Sequence, residues 1–192
     1  ISQAMSAKLD LDALLTLILE SAVDLLLGKA GLIVLRQENG DFVPKASFGL
    51  PIQALSLFDP LWRDSSDNDV GVPADMSLRL AIASKATGLS LRQVVALPLA
   101  VEDINQGFIY IFRPRGASSF TANDQQVLST FAHQAAIAVH NANLYRQITS
   151  EQERLNAIID NSGDGIMIIN PFRIIRTWNK ALVNLTGITA DE

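Results

Sequence analysis

Two histidines, His133 and His140, are the side chains best equipped for metal, haem or phosphoryl chemistry. Both fall in 121–161, a stretch without Pro or Gly that reads as one long helix. Seven residues of helix rise by about 10 Å, so one chain cannot close both imidazoles on a single ion. Helical metal pairs use steps of three or four instead. The sequences HQAAIA and HNANLY also lack the H-E-x-R-x-P pattern of a phosphoacceptor helix. Both histidines are therefore expected as polar positions at the edge of a helical interface, and haem is not expected. Facing across a dimer axis, they would make assembly pH-sensitive.

The acidic run DSSDNDVG, 64–71, offers carboxylates to a hard cation. An EF-hand loop wants acids at its first, third and fifth positions and Gly at its sixth. Neither Asp64 nor Asp67 as a start fits that pattern, so a solvated loop is expected. The cluster Asp59-Pro60-Leu61-Trp62-Arg63 is less ordinary. Trp62 and Arg63 could line a pocket, stacking on or pairing with an anionic ligand. The simpler alternative has Trp62 closing the core and Arg63 in solvent. Tyr110 and Phe112 share one face of a strand and alternate with Ile109 and Ile111 on the other. They complete the candidate ligand-binding set of Trp62, Arg63, Tyr110 and Phe112.

No cysteine is present, which excludes disulfides, thiolate metal sites, cysteine nucleophiles and thioether-linked chromophores. No G-x-S-x-G, P-loop or G-x-G-x-x-G pattern occurs either. Nothing activates a nucleophile, and no enzymatic activity is expected.

The elements that must position these residues come from composition and periodicity. The 192 residues are 48% apolar and 18% charged, enough for one core-forming domain and part of a second. A net charge of −5 without basic runs argues against a nucleic-acid surface. The most apolar run, 11–27, is broken by Asp12, Glu20 and Asp24, so no membrane contact is expected. No signal-peptide pattern opens the sequence, and a cytoplasmic segment of a larger protein is expected.

Asp10 reads as the N-cap of a helix whose stripe is Leu11, Leu14, Leu15, Ile18, Ala22, Leu25 and Leu26, with Gly28 as its left-handed stop. Leu17, Leu19 and Val23 make it apolar on further sides, as a helix covered by its own sheet and by a second copy would be. Strands follow over 30–36 and 42–48, joined by Asn39-Gly40, both of which tolerate positive φ. Pro44 marks an edge or bulge. The span 50–90 reads as an insert with a short helix near 52–57 and another over 75–86, stopped at Gly88. Strands over 93–101 and 108–113 are joined by the turn EDINQG, and Pro98 again marks an edge or bulge. One face of the last strand should meet the terminal helices and the other the insert. Thr121 and Asp124 then open the long helix as a capping pair. Its stripe is Leu128, Phe131, Ala135, Ala138, Ala142 and Tyr145. After 161 come two short strands and a helix that starts at Asn179 and ends at Gly187.

The opening LDLDALLTLILESAVDLLLGKAGLIVLRQENGDFVPKASFGLP, the strands VVALPLAVEDINQGFIYIFRP and the helix SSFTANDQQVLSTFAHQAAIAVHNANLY together resemble a GAF domain. The ALPL strand, the Gly before the last strand, the F-T-x-x-D helix start and the N-A-x-L-Y end carry the likeness. The insert matches no particular subgroup. From 155 on, D-N-S-x-D-G-I, the W-N pair and the L-T-G helix end resemble the first third of a PAS domain. The turn NPFRI stands where that family carries a Gly.

The resemblance implies an α+β fold, an antiparallel β-sheet flanked by N- and C-terminal helices. A long C-terminal linker helix and an incomplete PAS-like hairpin and helix follow. It implies a GAF-like domain over 1–146, a linker over 147–160 and a PAS-like fragment over 161–192. It also implies a sensory or regulatory module of a bacterial signalling protein such as a sensor histidine kinase. Such a module would bind a small ligand or partner and relay the change through dimeric terminal helices. The alternative is a ligand-free dimerisation and spacer module. The cofactor is unknown: a covalent bilin is excluded because no Cys exists. The Asn179-Lys180 and Asp191-Glu192 pairs only superficially echo the cyclic-nucleotide signature, with no matching Phe between them. Leu144, Ile148, Leu155 and Ile158 form the expected homodimer seam of the linker. Glu151 occupies a seam position that would ordinarily be apolar, leaving the seam poised between packings.

Overall fold

The computed structural model describes residues 2–63, 76–102 and 104–188, and the acidic run 64–71 lies outside them. The chain divides into two compact units, Ile1–Ala142 and Asn143–Glu192.

In the first unit, helix α1 (Ser2–Leu25) precedes strands β1 (Ala30–Arg36) and β2 (Phe42–Phe48). The insert contains a 3-10 helix (Ile52–Phe58) and helices α2 (Pro60–Arg63) and α3 (Met76–Thr87). Strands β3 (Leu91–Val101) and β4 (Ile104–Pro114) complete the sheet, and α4 (Ala122–Asp160) begins in this unit. The four strands run antiparallel in the order β2-β1-β4-β3. This is the α+β architecture expected.

The two prolines sit where a missing N–H does least harm. Pro44 lies on edge strand β2, at a register shift opposite Ile33 and Val34. Pro98 lies on edge strand β3, beside a second shift. Central strand β1 is buried along its length except at Arg36. Strand alternation sends its side chains into two separate cores. Ile33, Ile109 and Ile111 pack with Leu15, Leu19 and Val23 of α1 and with Leu128, Ala135 and Val139 of α4. Leu32, Val34 and the β4 aromatics pack with the insert.

Several local expectations move. Helix α1 starts at Ser2, so Asp10 is inside it. Its buried stripe is Leu15, Ile18, Leu19, Ala22, Val23 and Leu26, while Leu14, Leu17 and Leu25 are exposed. The left-handed stop falls on Leu27, at φ 51°, one residue before Gly28. Gly28 is needed for space, because a Cβ there would press on Ile111. In the first hairpin only Gly40 takes positive φ. The second hairpin is tighter than the turn EDINQG suggested, with Val101 paired to Ile104 and Glu102 at φ 49°. Gly107 therefore sits within β4, opposite Leu35.

The start of α4 is as expected. Thr121 N–H donates to Asp124 Oδ2 at 2.7 Å, and Asp124 N–H donates to Thr121 Oγ1 at 3.1 Å. The buried positions of α4 are Leu128, Ala132, Ala135, Ala136 and Val139. Phe131 is only half-buried, and Tyr145 is 48% exposed.

In the second unit, β5 (Met167–Ile169) pairs with β6 (Ile175–Trp178) and α5 (Lys180–Thr186) follows. Arg173 supplies the positive φ, 62°, that a Gly would supply in the hairpin. The Asn170 side chain steadies that turn by accepting from the Phe172 and Ile174 amides. Asn179 caps α5, and Gly187 ends it at φ 74°.

Candidate functional site

The site is built on alternate residues of β4. Phe108, Tyr110 and Phe112 point to the insert, and each is at most 3% exposed. Phe42 meets Phe108 from the neighbouring hairpin, and Phe58 meets Phe112 from the 3-10 helix, both with ring centroids 5.3 Å apart. Trp62, from α2, lies 6.2 Å from Tyr110, whose hydroxyl reaches the Leu61 carbonyl at 3.5 Å. Tyr110 stacks on Phe112 at 6.5 Å. Such tilted and offset ring pairs each contribute about 0.5–1.5 kcal/mol beyond their buried area.

Of the four candidate ligand residues, Trp62, Tyr110 and Phe112 are thus brought together, all buried. The Arg63 side chain lies outside the described residues. Leu50, Leu61, Leu80, Ala83 and Leu91 close round the rings, so the wall is apolar apart from the indole N–H and the phenol. This chemistry suits burial of an aromatic or apolar group. Among the described residues of the wall there is no acid–base pair.

Leu144, Ile148, Leu155 and Ile158, the residues expected to form a dimer seam, are 45–59% exposed on α4. His133 is exposed, whereas His140 Nδ1 lies 3.2 Å from Gln106 Nε2 of β4. No cluster of three metal-ligating side chains exists among the described residues. No helix among them is long and apolar enough to cross a membrane.

Two polar centres were not anticipated. Arg113, at the end of β4, is 3% exposed and pairs with Asp124 at 3.2 Å. Its Nε donates to the Leu26 carbonyl at 2.7 Å, and the Phe120 ring lies 4.1 Å from the guanidinium carbon. The Thr121 amide, then the Arg113 guanidinium, hold the Asp124 carboxyl below its usual range. The signal was present in the sequence. Arg113 shares its strand face with Ile109 and Ile111, so alternation buries its charge among the terminal helices. Asn179, in the second unit, is fully buried. Its Oδ1 accepts from the Ile166 and Leu182 amides, and its Nδ2 donates to the Ile159 and Asp164 carbonyls.

A family model described as GAF domain matches residues 8–140. The chain belongs to the GAF domain family. A model described as PAS domain matches 153–192, so a PAS-like segment follows the GAF domain. No curated protein matches the chain. Among solved structures, this GAF fold is similar to a GAF domain/HD domain protein from Geobacter sulfurreducens. The two are 18% identical with a TM-score of 0.54, over 72% of this chain and 97% of that one. The blue-light-absorbing form of the PixJ GAF domain from Thermosynechococcus elongatus has a TM-score of 0.55 at 11% identity, over 78% and 96% of the two chains. A domain of a protein described as a two-component sensor histidine kinase, from Sinorhizobium meliloti 1021, has a TM-score of 0.51 at 15% identity, over 66% and 88%.

Proposed function

We propose that this GAF domain is the sensory or regulatory module of a bacterial multidomain signal-transduction protein, a sensor histidine kinase. It binds a small molecule or a partner on the insert side of β4 and relays the change through dimeric terminal helices. The observation that carries this reading is the aromatic wall Phe108–Tyr110–Phe112. It faces the insert on the same strand whose opposite side packs on α1 and α4. A ligand stacking on Trp62 at that wall would act on the strand that seats both terminal helices. The description of the Sinorhizobium relative as part of a sensor kinase agrees with this role. So does the PAS-like segment after α4. The domain limits of 1–146, 147–160 and 161–192, the homodimer and a cytoplasmic location belong to the same proposal. No chemical step on a substrate is part of it.

Native mass spectrometry of the purified protein for a copurified small molecule, followed by thermal shifts against a metabolite library, tests the reading. A bound molecule whose stabilising effect is lost in Trp62→Ala supports it. Repeated absence of any ligand sinks it and leaves the spacer module. That second reading has its own supporting observation. Trp62, Tyr110 and Phe112 already satisfy one another in a packed core.

A further inference from the structure

Phe112 and Arg113 are consecutive on β4, yet alternation turns them to opposite faces of the sheet. Phe112 packs against Phe58 of the insert. Its carbonyl accepts from the Lys29 amide, just after α1, at 2.8 Å. Arg113 reaches the other way and meets three separate pieces of chain. Nε donates to the Leu26 carbonyl at the end of α1, at 2.7 Å. One terminal nitrogen donates to the Ser118 carbonyl in the loop before α4, at 3.3 Å. Both terminal nitrogens meet the Asp124 carboxylate, at 3.3 and 3.2 Å. Asp124 in turn holds the amide and hydroxyl of Thr121, which open α4.

A guanidinium is planar, and its donors have fixed directions. Bonds on several of its edges therefore fix the Leu26 carbonyl, the Ser118 carbonyl and the Asp124 carboxylate relative to one another. The Phe120 ring against the guanidinium limits sliding out of its plane. Leu26 is at the α1 terminus, where the last carbonyls lack helical partners, so the same side chain satisfies an otherwise orphaned acceptor. A charge buried this deeply persists only when paired and hydrogen-bonded, which leaves the junction few alternative arrangements.

We propose that Arg113 is the positioning residue that couples the insert face of β4 to the last turn of α1 and the first turn of α4. The inference rests on reading the insert face as the sensory face. It gives that reading a specific joint: displacement of Phe112 is passed along one peptide to Arg113, and from there to both terminal helices together. A lysine here would keep the charge but lose the planar fork.

Hydrogen exchange resolved to single amides tests the joint. Arg113→Met and Arg113→Lys are compared with Val139→Ala, a cavity mutation in the same helix-side core. Denaturant is adjusted so that all three share one global stability. Arg113→Met is expected to speed exchange about tenfold at the first turns of α4 and at Gly28 and Lys29 together, beyond the control. Arg113→Lys should fall between. Acceleration at only one of the two places overturns the coupling, as does equal acceleration in the control. Trp62→Phe then perturbs the wall from the insert side. It is expected to change exchange in the first turn of α4 in the native background by about threefold or more, and in Arg113→Met by much less. An unchanged α4 in the native background, or an effect that survives loss of Arg113, overturns the inference. Neither outcome depends on a ligand, so this failure is distinct from a failed ligand search.

Discussion

The Trp62 indole and the Tyr110 ring pack with centroids 6.2 Å apart and planes tilted by 51°, and this pair joins the insert to the centre of the sheet. The Tyr110 hydroxyl reinforces it by reaching back to the Leu61 carbonyl, one residue before Trp62. A helix of only four residues is thereby held on the sheet by its side chains. Trp62→Ala should lower stability by about 3–5 kcal/mol, as expected for a large aromatic lost from a packed core. Urea unfolding followed by circular dichroism measures it. A loss below about 1 kcal/mol would mean that the insert is not seated by this residue.

Asp124 predicts an acid-side stability change. Its carboxyl titrates lower in the folded chain than unfolded, because the Thr121 amide and Arg113 both favour the anion. A depressed folded value gives stability that is fully present above the unfolded carboxylate pKa of about 3.9 and lost as pH falls through the folded value. Thermal unfolding between pH 6 and pH 3, as chosen conditions, should therefore decline less steeply in Asp124→Asn. Parallel pH profiles for the two proteins would contradict the assignment.

Gly107 lies in β4 against β1, where any Cβ would overlap the Val34 carbonyl oxygen and crowd Leu35. The Val34 carbonyl and the Leu35 Cα belong to the backbone of the ladder and cannot swing away. Gly107→Ala should cost about 2 kcal/mol or more by forcing the two central strands apart. Gly116→Ala is a useful contrast: its Cβ meets open space, although φ of 92° still strains it. Equal, small changes in both variants would argue that the sheet accommodates the extra methyl.

In the proposed linker seam, Leu144 and Ile148 are 45% and 57% exposed. Leu144→Glu combined with Ile148→Glu is expected to weaken self-association at least tenfold. Glu151→Leu should strengthen it, because a charge at a seam position opposes pairing. Light scattering over a concentration series reads both. A native protein that stays monomeric throughout ends the dimer proposal.

Asn179 is expected to be intolerant of change. Asn179→Ala removes four side-chain bonds at once, leaving the Leu182 amide only the Asn179 backbone carbonyl and the Ile159 carbonyl only the Ser162 amide. Each intramolecular bond is worth about 0.5–1.5 kcal/mol net, so the last turn of α4, the 162–166 loop and the start of α5 should loosen together. Amide exchange at Ile166 and Leu182 would report it. Protection unchanged at both would show that the bonds contribute little.

Much of this molecule was legible without coordinates. Pro44 and Pro98 were placed at edges or bulges because a missing N–H cannot serve a central ladder. Thr121 and Asp124 announced the start of α4, because their spacing lets each side chain accept from the other's free amide. The two faces of β4 followed from alternation alone, down to Tyr110 and Phe112 facing the insert. These are local rules, acting between neighbours in the chain.

What the sequence could not decide were facts about distant partners. An apolar helix such as α1 offers several faces, and only packing against Ile109 and Ile111 selected Leu15, Leu19 and Val23 over Leu14 and Leu25. The stop falls on Leu27, and Gly28 instead makes room beside Ile111, a neighbour that only the folded chain supplies. Arg113 could be read as a buried charge, but its joining of Leu26, Ser118 and Asp124 required three remote segments to converge. Asn179 could be read as a helix start, but its hold on Ile159 emerged only when the chain folded back. The periodicity of a side chain is written in its neighbours. Its partners across the fold are chosen by the packing of the whole, which no single stretch of sequence contains.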